Sequence, residues 1–206
     1  MSPVKKAALQ FALSGGWKGM GETAHFVQFY NDDKVLLDSI CGFIGGGLIA
    51  GAGCVVIATP KRIRDLETQL IDRGFDLDSA RRWKQFSALV AADTLATFMV
   101  DGMPDPERFA AVVGSVIAGA DTDHPRVLAF GEMVGLLWSE GNRAAAVELE
   151  KLWNALAKRY GCSVFCAYPA NDIDREAHAR EFAHVCAEHS GVIHADHYAS
   201  GPIADR

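Results

Sequence analysis

The run "CVVIAT", residues 54–59, is apolar or β-branched at every position, and Gly53 and Pro60 bound it. A strand that shows no polar alternation must be covered on both faces, which is the signature of a parallel sheet between two helical layers. "RVLAF" (126–130) and "CSVFCAY" (162–168, stopped by Pro169) share the property. "HFVQFY" (25–30) reads as a strand by composition, and "KQFSALV" (84–90) as a weaker one.

Helical spacing fills the intervals. Asn31, Asp32 and Asp33 offer side-chain acceptors that can cap a helix over Lys34–Ile49, and Pro60 suits the first turn of one running to about Arg73. Residues 91–100 and 105–119 are helical, split by "DGMPDP"; a short helix follows Gly131; Asn142 caps a long one to about Arg159; and a last one covers about Asp174–His189. Strands alternating with helices predict an α/β three-layer sandwich around a mainly parallel central sheet of about five strands. The expected organisation is an arm (1–23), one domain (24–195) and a tail (196–206).

Composition narrows the function classes. Of the 206 residues, 50% are hydrophobic and 22% charged, enough for one ordinary core. No window holds 18 uninterrupted apolar residues, so no membrane span is expected. The start, "MSPVKKAALQFALSGGWKG", lacks the apolar stretch and cleavage site of a signal peptide. A net charge of −6 and the lack of a basic stripe argue against direct nucleic-acid binding. The five cysteines, odd in number, read as reduced thiols of a cytoplasmic protein.

Ligands of open parallel sheets bind beyond the carboxyl ends of the strands. Tyr30, Asn31 and Asp32 follow the first strand, Thr59 and Lys61 the second, Glu132 and Met133 the fourth, and Tyr168 and Asn171 the fifth. Glu132 is the odd one, a carboxylate between the strand ending at Phe130 and the apolar turn Met133–Trp138. An unpaired buried charge costs several kcal/mol, roughly, so this acid must be satisfied there. Hydroxyl and amide donors from Tyr30, Asn31 and Tyr168 would do so without a full salt bridge, placing Glu132 in reach of the 25–33 segment. Two readings stand: a ligand-facing acid, or a staple at a helix start. Likewise Tyr30 and Tyr168 read as strand-end packing or as ligand contacts, and Asn31 and Asp32 as helix caps or as site residues.

Other chemistries fit less well. "GWKGMGET" (16–23) has phosphate-loop glycine spacing, but Glu22 stands where lysine is needed and the segment precedes a strand. The glycines of "GFIGGGLIAGAG" (42–53) fall late in a helix and in its stop. His184, Cys186, His189, His194 and His197 form a C-terminal set whose spacing matches no standard zinc pattern, so neither metal nor cofactor is expected. Cys166 lies inside a strand and is not placed as a nucleophile.

Six segments in order, "HFVQFYNDD", "GLIAGAGCVVIAT", "FGEMVGLLW", "AAAVELEKLWNAL", "CAYP" and "CAEHSGVI", resemble the MEDS domain. This sensory domain is named for methanogens, methylotrophs and the dichloromethane-responsive regulator. The resemblance spans roughly residues 24–195. It implies a RecA-like or KaiC-like α/β fold without its phosphate loop, which is consistent with a first strand ending in "YNDD". It also implies sensing of small molecules, including one-carbon and hydrocarbon derivatives. The matching blocks bring over His25, Tyr30, Asn31, Glu132, Trp138, Trp153, Asn154, Cys166, Tyr168 and His189 as characteristic positions, without roles. Members are commonly joined to histidine kinase, ATPase or DNA-binding modules. None is visible here, so a separate partner such as a histidine kinase or transcription regulator is expected.

The leading expectation is therefore a cytoplasmic sensory module, not an enzyme. It would bind a small organic ligand through His25, Tyr30, Asn31, Asp32, Thr59, Glu132, Met133, Trp138 and Tyr168. The alternatives are a degenerate ATPase-like or hydrolytic enzyme using Glu132 as base, and a plain interaction module, with homodimerisation possible through an apolar helix face.

Overall fold

The computed structural model describes residues 24–174 and 176–194. The expectations for the 16–23 glycine segment, the arm, His197 and the tail lie outside the described residues.

The chain opens with β1 (His25–Tyr30), α1 (Asp33–Ile49) and β2 (Gly53–Ala58), followed by α2 (Pro60–Asp72), α3 (Leu77–Arg82) and β3 (Phe86–Val90). Next come α4 (Ala91–Phe98) and a small antiparallel hairpin of β4 (Met99–Val100) and β5 (Met103–Pro104). The segments α5 (Pro106–Phe109) and α6 (Ser115–Asp123) are joined by a π-helical turn, Ala110–Gly114. Then β6 (Val127–Gly131), α7 (Met133–Ser139), α8 (Arg143–Tyr160) and β7 (Ser163–Pro169) lead through a 3-10 turn to α9 (Ala179–Glu188) and β8 (Gly191–His194).

Six of these strands form one parallel sheet in the order β3-β2-β6-β7-β1-β8. The α/β sandwich is thus as expected, with one strand more. β8 is a four-residue edge strand whose only apolar pair is Val192 and Ile193, too short to register as a run. The segment "DGMPDP" carries the β4–β5 turn at Asp101 and Gly102, with φ 48° and 79°, then β5 and the start of α5.

The two faces of the sheet bury separate cores. Phe26, Cys54, Val56, Phe130 and Phe165 face one way, onto α1, α2 and α3. Val27, Val55, Ile57, Ala129, Val164, Cys166 and Tyr168 face the other way, onto the helices from α4 to α9. Successive residues of each strand enter opposite layers, so both layers need apolar partners and the strand loses its alternation.

Local chemistry sets the helix ends. Asp32 accepts a hydrogen bond from Lys34 N at 2.7 Å at the start of α1, Thr59 caps α2 with Pro60 in its first turn, and Asn142 caps α8. Gly161 closes α8 in the left-handed region (φ 60°). At Gly135 any side chain is excluded, since a Cβ there would lie 2.6 Å from the Ala167 carbonyl oxygen, which lets α7 press directly on β7. No described helix is long and apolar enough to cross a membrane.

Candidate functional site

Two buried glutamates organise the polar interior, Glu132 at the carboxyl end of the sheet and Glu150 between α8 and the sheet face. At the carboxyl end, the Glu132 amide donates to the Ile57 carbonyl (2.8 Å), carrying the β2–β6 pairing past the strand. The residue is 5% exposed. Oε2 accepts from Thr59 N at 2.8 Å, and Oε1 accepts from Arg62 Nε and Nη2 at 3.2 and 3.1 Å. Arg62 is itself buried; its Nη2 also reaches Asp33 Oδ1 (3.0 Å) and the Tyr30 hydroxyl (3.4 Å), and the guanidinium lies 5.4 Å from the Tyr30 ring centre.

This corrects one expectation. Glu132 makes a full salt bridge, and it reaches the 25–33 segment only through Arg62. An arginine in the first turn of α2 reads in sequence as a solvated cation. Here the turn faces the start of α1, which folds the guanidinium inward. Burial alone would lower the pKa of Arg62, but Glu132, Asp33 and Tyr30 outweigh that and raise it. Tyr30 is pushed up to about 12, first by burial.

The expected edge residues do not all meet. Tyr30, Thr59 and Glu132 come together around Arg62. Asn31 and Asp32 are exposed, with Asp32 capping α1. Met133 is fully buried in the core. Trp138 is also buried; its Nε1 donates to the Asp172 carbonyl (3.1 Å) and its ring meets Tyr168 edge-on. Tyr168 turns into the opposite layer from Tyr30 and donates to a different acid, Glu150.

That second acid lies on α8, within the apolar stripe Ala146, Val147, Trp153 and Ala157, and is 0% exposed. A carboxylate at i, with apolar residues at i−4, i−3, i+3 and i+7, was the sequence signal for it. Glu148 and Lys151 mask it, because they give the stretch the pattern of an ordinary charged helix.

Glu150 Oε1 accepts from the Tyr168 hydroxyl at 2.7 Å. Oε2 lies 3.2 Å from both Cys166 Sγ and His25 Nε2, and 3.5 Å from His189 Nε2. The two imidazole rings are 4.1 Å apart, centre to centre. His25 Nε2 and Cys166 Sγ are 3.4 Å apart, and His25 Nδ1 meets Asn154 Oδ1 at 2.9 Å. Asn154 Nδ2 donates to the backbone and side-chain oxygens of Glu188 at 2.7 and 2.6 Å. His189 Nδ1 pairs with the Val185 carbonyl.

Electrostatics follow from burial and pairing. Burial alone would raise the Glu150 carboxyl, but His189 and His25 facing it hold it well below the ordinary range. Burial would lower His189, yet Glu150 raises it. Burial, then Glu150, drive the Cys166 thiol and the Tyr168 hydroxyl well up.

A hollow of about 440 Å³ opens onto this cluster. His25, Asn154 and His189 form part of its wall, with Ala157, Ala187 and Glu188. His25 begins β1 and His189 opens the α9–β8 turn, so the hollow lies at the amino edge of the sheet, opposite the edge that sequence reasoning favoured. Of the C-terminal set, His189 joins the cluster, while His184 is exposed and Cys186 is half-buried.

Comparison with curated proteins finds none that matches this chain. A family model does match, over residues 24–189, from the first strand through the histidine that meets Glu150. That stretch holds both glutamate clusters and every strand but β8, so the chain belongs to the MEDS family, the MEthanogen/methylotroph, DcmR Sensory domain.

Proposed function

We propose that this sensory domain detects a small organic molecule, of the one-carbon or hydrocarbon-derivative class, in the hollow at the amino edge of the sheet. The observation that carries the reading is the hollow itself, with His25, Asn154 and His189 converging on it from three elements. Its size lies in the range of small-molecule pockets, roughly 300–1,000 Å³. A ligand there presses on the turn between α9 and β8, a surface element, and so passes its signal to a cytoplasmic output module such as a histidine kinase or transcription regulator.

Two features weigh against the enzymatic alternatives. Both Glu132 oxygens are occupied by Thr59 N and Arg62, leaving a poor general base. The Asp32 carboxylate sits at the start of α1, where it would repel a phosphate bound in the β1–α1 turn. A second reading keeps the ligand at the carboxyl edge, with Tyr30, Asn31, Asp32, Thr59 and Glu132. It is favoured by the exposure of Asn31 and Asp32 beside the buried pair.

Calorimetric titration with short alcohols, halomethanes, methylamines and small acids tests this. Ala187→Trp fills the hollow from its exposed rim and should abolish binding at unchanged melting temperature. Loss of binding in Asn31→Ala with retention in Ala187→Trp would move the site to the other edge.

A further inference from the structure

We propose that His25, Glu150, Cys166 and His189 are the ligands of a zinc-class divalent metal ion, held four-coordinate between the sheet and α8. Each side chain offers one donor atom, and the four lie within 4.8 Å of one another. The inference uses the hollow of the proposed sensing site only as an entry path, and it stands whether or not an organic ligand binds there.

Distances make the first argument. Tetrahedral bonds of about 2.0–2.3 Å to nitrogen, oxygen and sulfur put neighbouring donors roughly 3.3–3.7 Å apart. Here His25 Nε2–Glu150 Oε2 and Cys166 Sγ–Glu150 Oε2 are both 3.2 Å, His25 Nε2–Cys166 Sγ is 3.4 Å and His189 Nε2–Glu150 Oε2 is 3.5 Å. Four of the six edges of a coordination tetrahedron thus stand at length, and the two from His189 to His25 and to Cys166 lie within 4.8 Å.

The second argument comes from the surrounding hydrogen bonds. Asn154 Nδ2 faces two acceptors on Glu188, so this end of the amide is the donor and Oδ1 is left to accept from His25 Nδ1–H. The Val185 carbonyl can only accept, so His189 Nδ1 also carries a proton. With Nδ1–H fixed on both rings, each neutral imidazole presents an Nε2 lone pair to the same carboxylate oxygen. Those lone pairs and the carboxylate are reconciled by a cation: a proton on Nε2 in the metal-free protein, or a single metal ion that takes both rings and the carboxylate together. Among the described residues His189 Nε2 makes no hydrogen bond, although its side chain is 0% exposed. Outer partners that fix the tautomer and orientation of ligating groups are the usual companions of a metal centre, and the Tyr168 hydroxyl on the other Glu150 oxygen completes the set.

Donor type narrows the ion. Two imidazoles, a thiolate and one carboxylate suit zinc and its neighbours and disfavour magnesium and calcium, which prefer all-oxygen shells. On coordination Cys166 releases its thiol proton to solvent and binds as thiolate. Four protein ligands saturate a tetrahedral ion, so the site is a clamp: it ties β1, α8, β7 and the α9–β8 turn to one point. Metal occupancy would then decide how firmly that turn is held against the sheet.

Full-length chain, stripped with chelator, is titrated with Co²⁺ and with Zn²⁺. The expected result is one Co²⁺ per chain, with intense tetrahedral visible bands and a thiolate-to-cobalt charge-transfer band, both displaced by one Zn²⁺. Cys166→Ser should remove the charge-transfer band, Cys186→Ser should leave it intact, and Asn154→Ala should weaken binding by about 10–100-fold. No saturable uptake by the wild-type chain, or uptake without the thiolate band, would overturn the proposal, and neither depends on a variant folding. Titrating the organic panel on stripped and on loaded protein reads the sensing hypothesis separately, so either can fail alone.

Discussion

Glu132, at the carboxyl end of the parallel sheet, and Glu150, between α8 and the sheet face, are both buried carboxylates, but they are neutralised by different chemistry. Glu132 meets a guanidinium and a backbone amide. Arginine stays charged at every working pH and holds its carboxylate partner with a rigid fork. Glu150 meets two imidazoles, a thiol and a phenol, none permanently charged. The first cluster is therefore a fixed joint between α2, α1 and the β6–α7 turn. The second can exchange a proton or accept a metal ion, and it lies beneath an open hollow. In a sensory domain the exchangeable cluster is the better place for a signal to start.

Breaking the fixed joint should give the largest effect. Arg62→Ala leaves the buried Glu132 without its cation, and we expect a loss of about 3–5 kcal/mol in denaturant unfolding. The double change Arg62→Met with Glu132→Leu should recover much of that, because a well-packed apolar pair avoids the desolvation of both ions. A loss below about 1 kcal/mol for Arg62→Ala would put the pair in the class of exposed ion pairs and erase the contrast between the two clusters.

The contrast sharpens with pH, in metal-free protein. Glu150 is lowered from 4.5 in the folded state, so its contribution is present above that value and lost as pH falls through the folded pKa. His189 is raised from 6.5, so its contribution is complete below 6.5 and lost as pH rises through the folded pKa. The Glu150 cluster should therefore support folding most between 4.5 and 6.5. Denaturation midpoints should fall from the slightly acidic to the alkaline side in the wild type, and much less in Glu150→Gln. Arg62 is raised further from an already high value, so it should contribute no slope in this range. An equal slope in Glu150→Gln would show that another group is responsible.

The smallest effect tests a purely local feature. Asp32→Ala removes the acceptor for Lys34 N at the start of α1 and should cost about 1 kcal/mol, without altering either cluster's response to pH or metal. A change in metal or ligand response would mean that the β1–α1 turn takes part in sensing.

Particular residues show how far sequence reading reached. The apolar runs 54–59, 126–130 and 162–168 announced covered strands, and Asp32, Pro60 and Asn142 announced helix starts, because burial on two faces and helix-start chemistry are written in near neighbours. Glu132 stood out for the same reason, as a charge wedged between two apolar runs. Arg62 and Glu150 did not. Each sits in a helix with other charged residues nearby, and only the packing of that helix decides which charge is turned inward. The rule that ligands gather at the carboxyl ends of parallel strands also drew attention from the amino edge, where His25 opens β1.

By itself the sequence determined the alternation of strands and helices, the two-sided burial of the sheet and the family. These depend on periodicity and on residues a few places apart. Tertiary structure alone decided the strand order, with β1 between β7 and β8, and so the meeting of His25 with Cys166, 141 residues away. It also decided that α8 presents Glu150 to that point and that the turn after α9 brings His189 to it. No local rule encodes such a meeting, because its energy comes from several distant groups sharing one small dry volume, and that volume exists only once the sheet and its two layers have closed.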